Sequence, residues 1–299
     1  NSKAKRKRGL FFLATFSEVV ISQHESLDPN TCIAFIGGGN MARAIISGLL
    51  KQGHNSANIL VCTPSQTTRH DLIDKFNVKV HQDNTAAVAF ADVIIVAVKP
   101  FVVPVVCEQL SEVMQYDNRK LVISIAAGVK HATLRQKLHF SPKVICAMPN
   151  LPTAIGEGLT GLYAGPDTHA NDIALAERLM RAVGETVWLK EESQMSTIVA
   201  AAGSSPAYLF LFLEAMEKAA IEQGLPQETA TKAVLQSAMG AISMAMNSQH
   251  NLASLRHQVT SPKGTTEQAI LAFQDGDLDE LVASAMACAT TRAKELSIG

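Results

Sequence analysis

The sequence predicts an α/β domain built on a parallel sheet, followed by an all-α domain. Three observations carry that expectation. A short apolar run leads directly into a glycine-rich turn and a helical segment. Four further apolar runs follow, most of them separated by helix-compatible stretches. After Trp188 the pattern changes to long apolar helices. A chain of 299 residues suits two domains of ordinary size.

The first run, residues 32–36, ends at Gly37, Gly38, Gly39, Asn40, Met41 and Ala42, and a helical stretch over 42–50 is closed by Gly53. This is G-x-G-x-x-A between a strand and a helix, the context that a dinucleotide-binding turn requires. Gly37 makes the tight turn, Gly39 lets a pyrophosphate approach bare backbone, and Ala42 permits close helix–strand packing. The helix start offers unpaired N–H groups to the phosphates. A glycine turn alone is weak evidence. The apolar runs at 59–62, 93–98, 121–125 and 143–148 strengthen it, because a parallel sheet with crossover helices needs such a series. Residues 31–190 therefore read as a Rossmann domain.

An enzyme built for NAD usually places an acid at the end of the second strand, against the ribose 2′-hydroxyl. Here residues 63–69 are Thr-Pro-Ser-Gln-Thr-Thr-Arg, and the nearest following acid is Asp71. Hydroxyls and one guanidinium suit a 2′-phosphate, so NADPH is the expected cofactor. NADH is the alternative if the loop discriminates poorly.

Residues 191–299 read as a helical domain. Gly203, Ser204, Ser205 and Pro206 supply a serine cap and a first-turn proline, and an apolar helix runs over 207–221. Gly224 ends it, and Pro226 opens a second helix reaching about Met246. Residues 208–213, Tyr-Leu-Phe-Leu-Phe-Leu, are apolar on every face, so this helix must be surrounded. A helical domain of this size cannot enclose it alone. A homodimer packed through these helices is expected, unless the first domain of a monomer covers the excess. In the loop over 259–266, Pro262 and Gly264 turn the chain and a helix begins near Thr265. Helix-start N–H groups and several hydroxyls make a site for a small carboxylate, although the bare pattern is only a capped helix start.

Several classes are disfavoured. A formal net charge of −1 with 47% hydrophobic residues describes a soluble globular protein without the basic face that nucleic acid requires. Five scattered cysteines without C-x-x-C spacing read as reduced thiols of a cytoplasmic protein, not as disulfides or a metal site. No apolar run approaches the length of a membrane span, so no membrane partner is expected. Residues 1–30 stand apart. Five basic residues between Lys3 and Arg8 precede an apolar stretch over 10–16, an outline similar to a signal peptide that Glu18 interrupts. The expectation is a disordered extension outside the fold.

Taken together, residues 35–41, 97–100, 124–129, 148–152, 203–208 and above all 260–266 resemble pyrroline-5-carboxylate reductase, in order and spacing, over roughly residues 32–297. The resemblance implies reduction of the cyclic imine 1-pyrroline-5-carboxylate to L-proline by NAD(P)H. It implies that Ile36, Gly37, Gly38, Gly39, Asn40 and Met41 bind the pyrophosphate and that Thr63 lies at the adenosine ribose. Asn84, Ala97, Val98, Lys99, Pro100, Ala126, Ala127 and Gly128 would line the remaining dinucleotide path. The substrate carboxylate would sit on Ser261, Gly264 and Thr265, with Gln258 as a further substrate contact. Thr266 would hydrogen-bond the ring nitrogen as the catalytic residue. Interlocked helical domains would make a homodimer, and five dimers a decamer. The chemistry agrees with the absence of a His/Cys/Asp triad from the sequence, since a protonated imine accepts hydride without a strong protein acid. Two positions depart from the family: Lys263 stands where glycine is usual, and Gln258 where asparagine is frequent. The favoured expectation is an ordinary backbone at Lys263, with its ammonium near enough to attract the carboxylate, rather than a strained left-handed residue. A β-hydroxyacid dehydrogenase is a poor rival, because no lysine lies between Lys190 and Lys218. A non-catalytic NADP sensor is the other alternative.

Overall fold

The computed structural model describes residues 26–115, 119–139 and 143–297. Residues 1–25, most of the expected disordered extension, lie outside the described residues. Within residues 26–31, Leu27 packs against the first core, and the Thr31 N–H donates to the Asp28 carbonyl at 3.0 Å. The chain divides into two compact units, Ser196–Glu295 and the remainder.

The first unit alternates strands and helices: β1 (Ile33–Ile36), α1 (Asn40–Lys51), β2 (Ile59–Cys62), α2 (Gln66–Phe76), β3 (Lys79–His81), α3 (Ala86–Phe90) and β4 (Val93–Val96). It continues with α4 (Val103–Met114), β5 (Leu121–Ser124), α5 (His131–Lys137), β6 (Lys143–Pro149), β7 (Gly158–Ala164), α6 (Ala170–Arg181) and β8 (Gly184–Trp188). All eight strands form one sheet in the order β3-β2-β1-β4-β5-β6-β7-β8. Every neighbouring pair is parallel except β6 and β7. Strands β1, β2, β4 and β5 are buried at every position, which explains their unbroken aliphatic sequences: helices cover both faces. The period-two alternation of a strand divides β1 between two cores. Ile33 and Phe35 pack with Ile45, Leu49 and Leu179 on one face, and Ala34 and Ile36 pack with Val106 and Leu110 on the other. The strand order reverses between β1 and β4, and a crevice at the carboxyl ends of strands forms at such a point.

The second unit is helical: α7 begins at the boundary (Met195–Ile198), followed by α8 (Ser205–Glu222), α9 (Gln227–Met246), α10 (Leu252–Gln258), α11 (Thr265–Asp275) and α12 (Leu278–Leu296). The sequence placed a fresh start, capped by serine, at 203–206. The backbone instead continues through a π-helical segment, Val199–Gly203, and Ser204 makes no side-chain cap bond. Pro206 is accommodated because it falls in the first turn of α8, where its missing N–H has no helical partner to lose. The helical run Glu192–Glu222, interrupted only by a bend at Ser204, has a window of mean hydropathy 1.5. By length and composition this run could cross a membrane, which corrects the expectation that no apolar run approaches that length. It is mostly uncovered: Phe210 is 67% and Leu211 69% exposed. Within the unit, α8 packs on α9, where Ala230 and Val234 are buried, and the Phe212 and Phe273 rings lie 5.8 Å apart.

Candidate active site

Backbone hydrogen bonds tie the carboxyl ends of four strands into one edge. The Gly37 N–H donates to the Cys62 carbonyl at 2.8 Å, Ala97 to Ile36 at 2.9 Å, and Ile125 to Val96 at 3.0 Å. Ile36, Gly37, Ala97 and Val98 are thereby brought into contact. Gly37 has a φ of 102°, and a Cβ there would lie 2.7 Å from the Ala97 carbonyl oxygen, so only glycine fits. Gly38 is confined as well, since its Cβ would meet Leu72 and Thr68 of α2 at 2.9 Å. Gly39 differs. It caps α1 with an ordinary φ of −75°, and a Cβ would meet nothing within 4 Å. The protein itself makes no demand for glycine here, and the open space lies against uncapped helix-start N–H groups. That cradle fits a diphosphate.

Thr63, at the end of β2, is only 7% exposed, and its N–H donates to His81 at 2.9 Å. Arg69 reaches back from α2, donating through Nη1 to the carbonyls of Thr63 (2.7 Å) and Pro64 (2.9 Å). Ser65 caps α2 by accepting from the Thr68 N–H at 3.2 Å. Asp71, the nearest acid after β2, is engaged elsewhere. It pairs with Arg43 of α1 and, at 3.1 Å, with Lys75. Hydrogen bonds from Arg43 and then Lys75 hold its carboxyl below the usual carboxylate range. The end of β2 thus presents hydroxyls and a guanidinium without a free acid. Sequence reasoning missed Arg43, whose only signal was its place in the first turn of the helix after the glycines.

The other expected cofactor residues follow along the same edge. The Asn84 side-chain amide donates to Gln109 Oε1 at 2.9 Å. Lys99 and Pro100 are exposed where β4 gives way to a 3₁₀ turn. After β5, Ala126 donates its N–H to Ser124 Oγ at 3.4 Å, Ala127 is exposed, and Gly128 turns the chain with a φ of 81°. Behind this turn, burial pushes the Cys146 thiol up and, with Glu192 opposing, holds the His131 imidazole below its ordinary value. Burial likewise raises Cys62 to about 12 and Cys107 to about 11, so these thiols are neutral and poor nucleophiles.

The expected substrate residues share one loop of the helical unit. Gln258 ends α10 and is exposed, as are Ser261, Thr265 and Thr266. No side chain caps the N-terminus of α11 at Gly264. Among the described residues the hydroxyls of Ser261, Thr265 and Thr266 have no partner. The Gly264 N–H is taken by the Ser261 carbonyl at 3.0 Å, which leaves Thr265, Thr266 and Glu267 as the open backbone donors. Lys263 has a φ of 59°. The backbone is therefore left-handed, and the expectation of an ordinary conformation there is corrected. Its N–H donates to Glu267 Oε2 at 2.7 Å, so the carboxylate from the next turn, rather than a glycine, holds the strained residue in place.

Residues 192–296 match the family model described as pyrroline-5-carboxylate reductase dimerisation, and residues 32–128 match NADP oxidoreductase coenzyme F420-dependent. The pyrroline-5-carboxylate reductase of Vibrio alginolyticus is 43% identical over 265 residues, spanning 88% of this chain and 97% of that protein. The chain belongs to the pyrroline-5-carboxylate reductase family. The Pseudomonas aeruginosa reductase is 41% identical over 89% of this chain and 96% of its own length. The structure of a pyrroline-5-carboxylate reductase from Coxiella burnetii superposes with a TM-score of 0.84 at 41% identity, covering 90% of this chain and all of that one (100%). Fold class, enzyme class and cofactor class agree with the expectations drawn from sequence.

Proposed function

We propose that this reductase carries out its reaction through the two loops described above. The enzyme reduces 1-pyrroline-5-carboxylate to L-proline with NAD(P)H, the last step of proline biosynthesis. When bound, the reduced dinucleotide supplies a hydride to the imine carbon, and the proton stays on nitrogen. The chain's own part is to bind, align and exclude water. Ile36 to Met41 would hold the diphosphate on the helix start of α1, with Thr63 and Arg69 at the adenosine ribose. Asn84, Ala97 to Pro100 and Ala126 to Gly128 would line the rest. NADPH would be preferred over NADH because Asp71 is withdrawn into its pairs with Arg43 and Lys75.

The observation that supports the substrate loop is the set of unpartnered hydroxyls at an uncapped helix start. Ser261, Gly264 and Thr265 would receive the carboxylate, Gln258 would close one side, and the Thr266 hydroxyl would accept the iminium proton's hydrogen bond and so orient the ring. Replacing Thr266 by valine keeps the shape and removes one hydrogen bond to a charged group, about 1.5–3 kcal/mol, or on the order of tenfold to a hundredfold in kcat/KM. Cofactor affinity should not change. Unaltered kinetics in a folded variant would remove Thr266 from the mechanism.

The exposed apolar faces of α8, α9 and α12 support a homodimer, and the family resemblance would make a decamer of five such dimers the larger assembly. A second copy would cover the apolar run over Glu192–Glu222 in place of lipid. Free cysteines and a biosynthetic role suit the cytoplasm.

A further inference from the structure

We infer that Arg43 is a positioning residue for the cofactor diphosphate: by holding the Gly38 carbonyl, it turns the Gly39 N–H toward the ligand. This rests on the reading that the loop at Gly37 to Met41 takes the diphosphate. Arg43 Nε donates to the Gly38 carbonyl oxygen at 2.8 Å. That oxygen and the Gly39 N–H belong to one peptide unit. The unit is planar and trans, so the two groups point in opposite directions. With the carbonyl drawn onto the guanidinium, the N–H faces away from it, and no protein acceptor takes it among the described residues. The space at Gly39 is open on the protein's side.

An anchor is needed because both residues flanking this peptide are glycines. Glycine reaches positive φ as readily as negative, so the unit could rotate at little steric cost. A rotated peptide would present its carbonyl oxygen, a partial negative charge, to the phosphates. Arg43 opposes this rotation, and its guanidinium is itself fixed by Asp71, which Lys75 holds in turn at 3.1 Å. The pairing with Asp71 offsets most of the positive charge of Arg43. Its contribution to binding therefore comes through the orientation of a backbone dipole rather than through direct attraction of the diphosphate.

The test is calorimetric titration of the full-length protein with NADPH and, separately, NADH, with Tm measured on each variant. Arg43→Met keeps the stem and removes the donor, and it should raise Kd about tenfold for both dinucleotides, since both carry the diphosphate. Arg43→Lys, whose ammonium can still reach a carbonyl, should recover part of the loss. Asp71→Asn loses the ion pair but leaves the bond to Gly38, and Kd should stay within about threefold. Equal weakening and equal loss of Tm in Arg43→Met and Asp71→Asn would make Arg43 only a brace between α1 and α2, and would overturn the inference. So would a loss confined to NADPH, which would place Arg43 at the 2′-phosphate. Gly39→Ala separates the two levels. If it weakens both dinucleotides while Arg43→Met does not, the inference fails and the loop assignment stands. If Gly39→Ala leaves both unchanged, the loop assignment itself fails.

Discussion

Replacing Lys263 with glycine should stabilise the protein and change how its substrate affinity responds to salt. At a φ of 59° the lysine Cβ crowds the following carbonyl, which costs about 1–2 kcal/mol for a non-glycine residue. Glycine relieves that strain but loses more backbone freedom on folding, an opposing contribution of about 0.5–1 kcal/mol. The net gain is about 0.5–1 kcal/mol. The backbone N–H that donates to Glu267 at 2.7 Å exists in either variant, so that bond does not alter the difference. For a chain of this size the gain corresponds to an upward shift of about 1–3 °C in Tm. Removing the exposed Lys263 cation also changes the local field, so the scan belongs at both low and high salt, the latter isolating the backbone effect. Substrate KM read in parallel separates a second role. If the ammonium attracts the carboxylate, KM rises at low salt and converges with the parent at high salt. A Tm at high salt that is unchanged or lower in the glycine variant would refute the strain argument.

Gly37 and Gly39 should respond oppositely to alanine. Gly37→Ala combines a φ of 102° with a 2.7 Å clash on Ala97 and should lose at least about 1–3 kcal/mol in denaturant unfolding, whereas Gly39→Ala should keep its stability within about 0.5 kcal/mol. Arg69→Gln should raise KM for NADPH on the order of tenfold and leave NADH nearly unaffected; equal effects in steady-state assays would show that the guanidinium acts only on the Thr63 and Pro64 carbonyls. If α8, α9 and α12 complete their packing on a second copy, the unfolding midpoint should fall on dilution. A compact, active monomer in sedimentation would contradict that.

Much of the first unit was readable because strands buried on both faces must be aliphatic throughout, as β1, β2, β4 and β5 are. Strand β3 was missed, being three residues long with the Lys79 and His81 side chains exposed. Strand β7, Gly-Leu-Thr-Gly-Leu-Tyr-Ala, was missed because two glycines and a threonine break the apolar pattern, although its neighbours bury most of it. The glycine turn and the 260–266 loop were legible as motifs. The conformation of Lys263 was not, since its left-handed backbone is held by Glu267 four residues later, a pairing that no local propensity encodes. Arg43 was invisible for a similar reason: its partners, Gly38 and Asp71, lie on different elements.

The π-helical segment Val199–Gly203 is the place in this stretch where a change of length can be absorbed. A π turn accommodates one residue more than an α turn, so deleting a single residue between 199 and 203 would let the segment relax into ordinary α-helix. Each residue advances a helix by about 100° and 1.5 Å. A deletion there would therefore be absorbed by the relaxation and leave Leu209, Phe210 and Phe212 close to their present bearings, whereas a deletion inside α8, where no π turn can absorb it, would turn every later residue of the helix by about 100° relative to the earlier ones. Alleles that lose one codon within 205–222 should be far more damaging than alleles that lose one codon within 199–203, and replacement libraries built on α8 should hold its length constant.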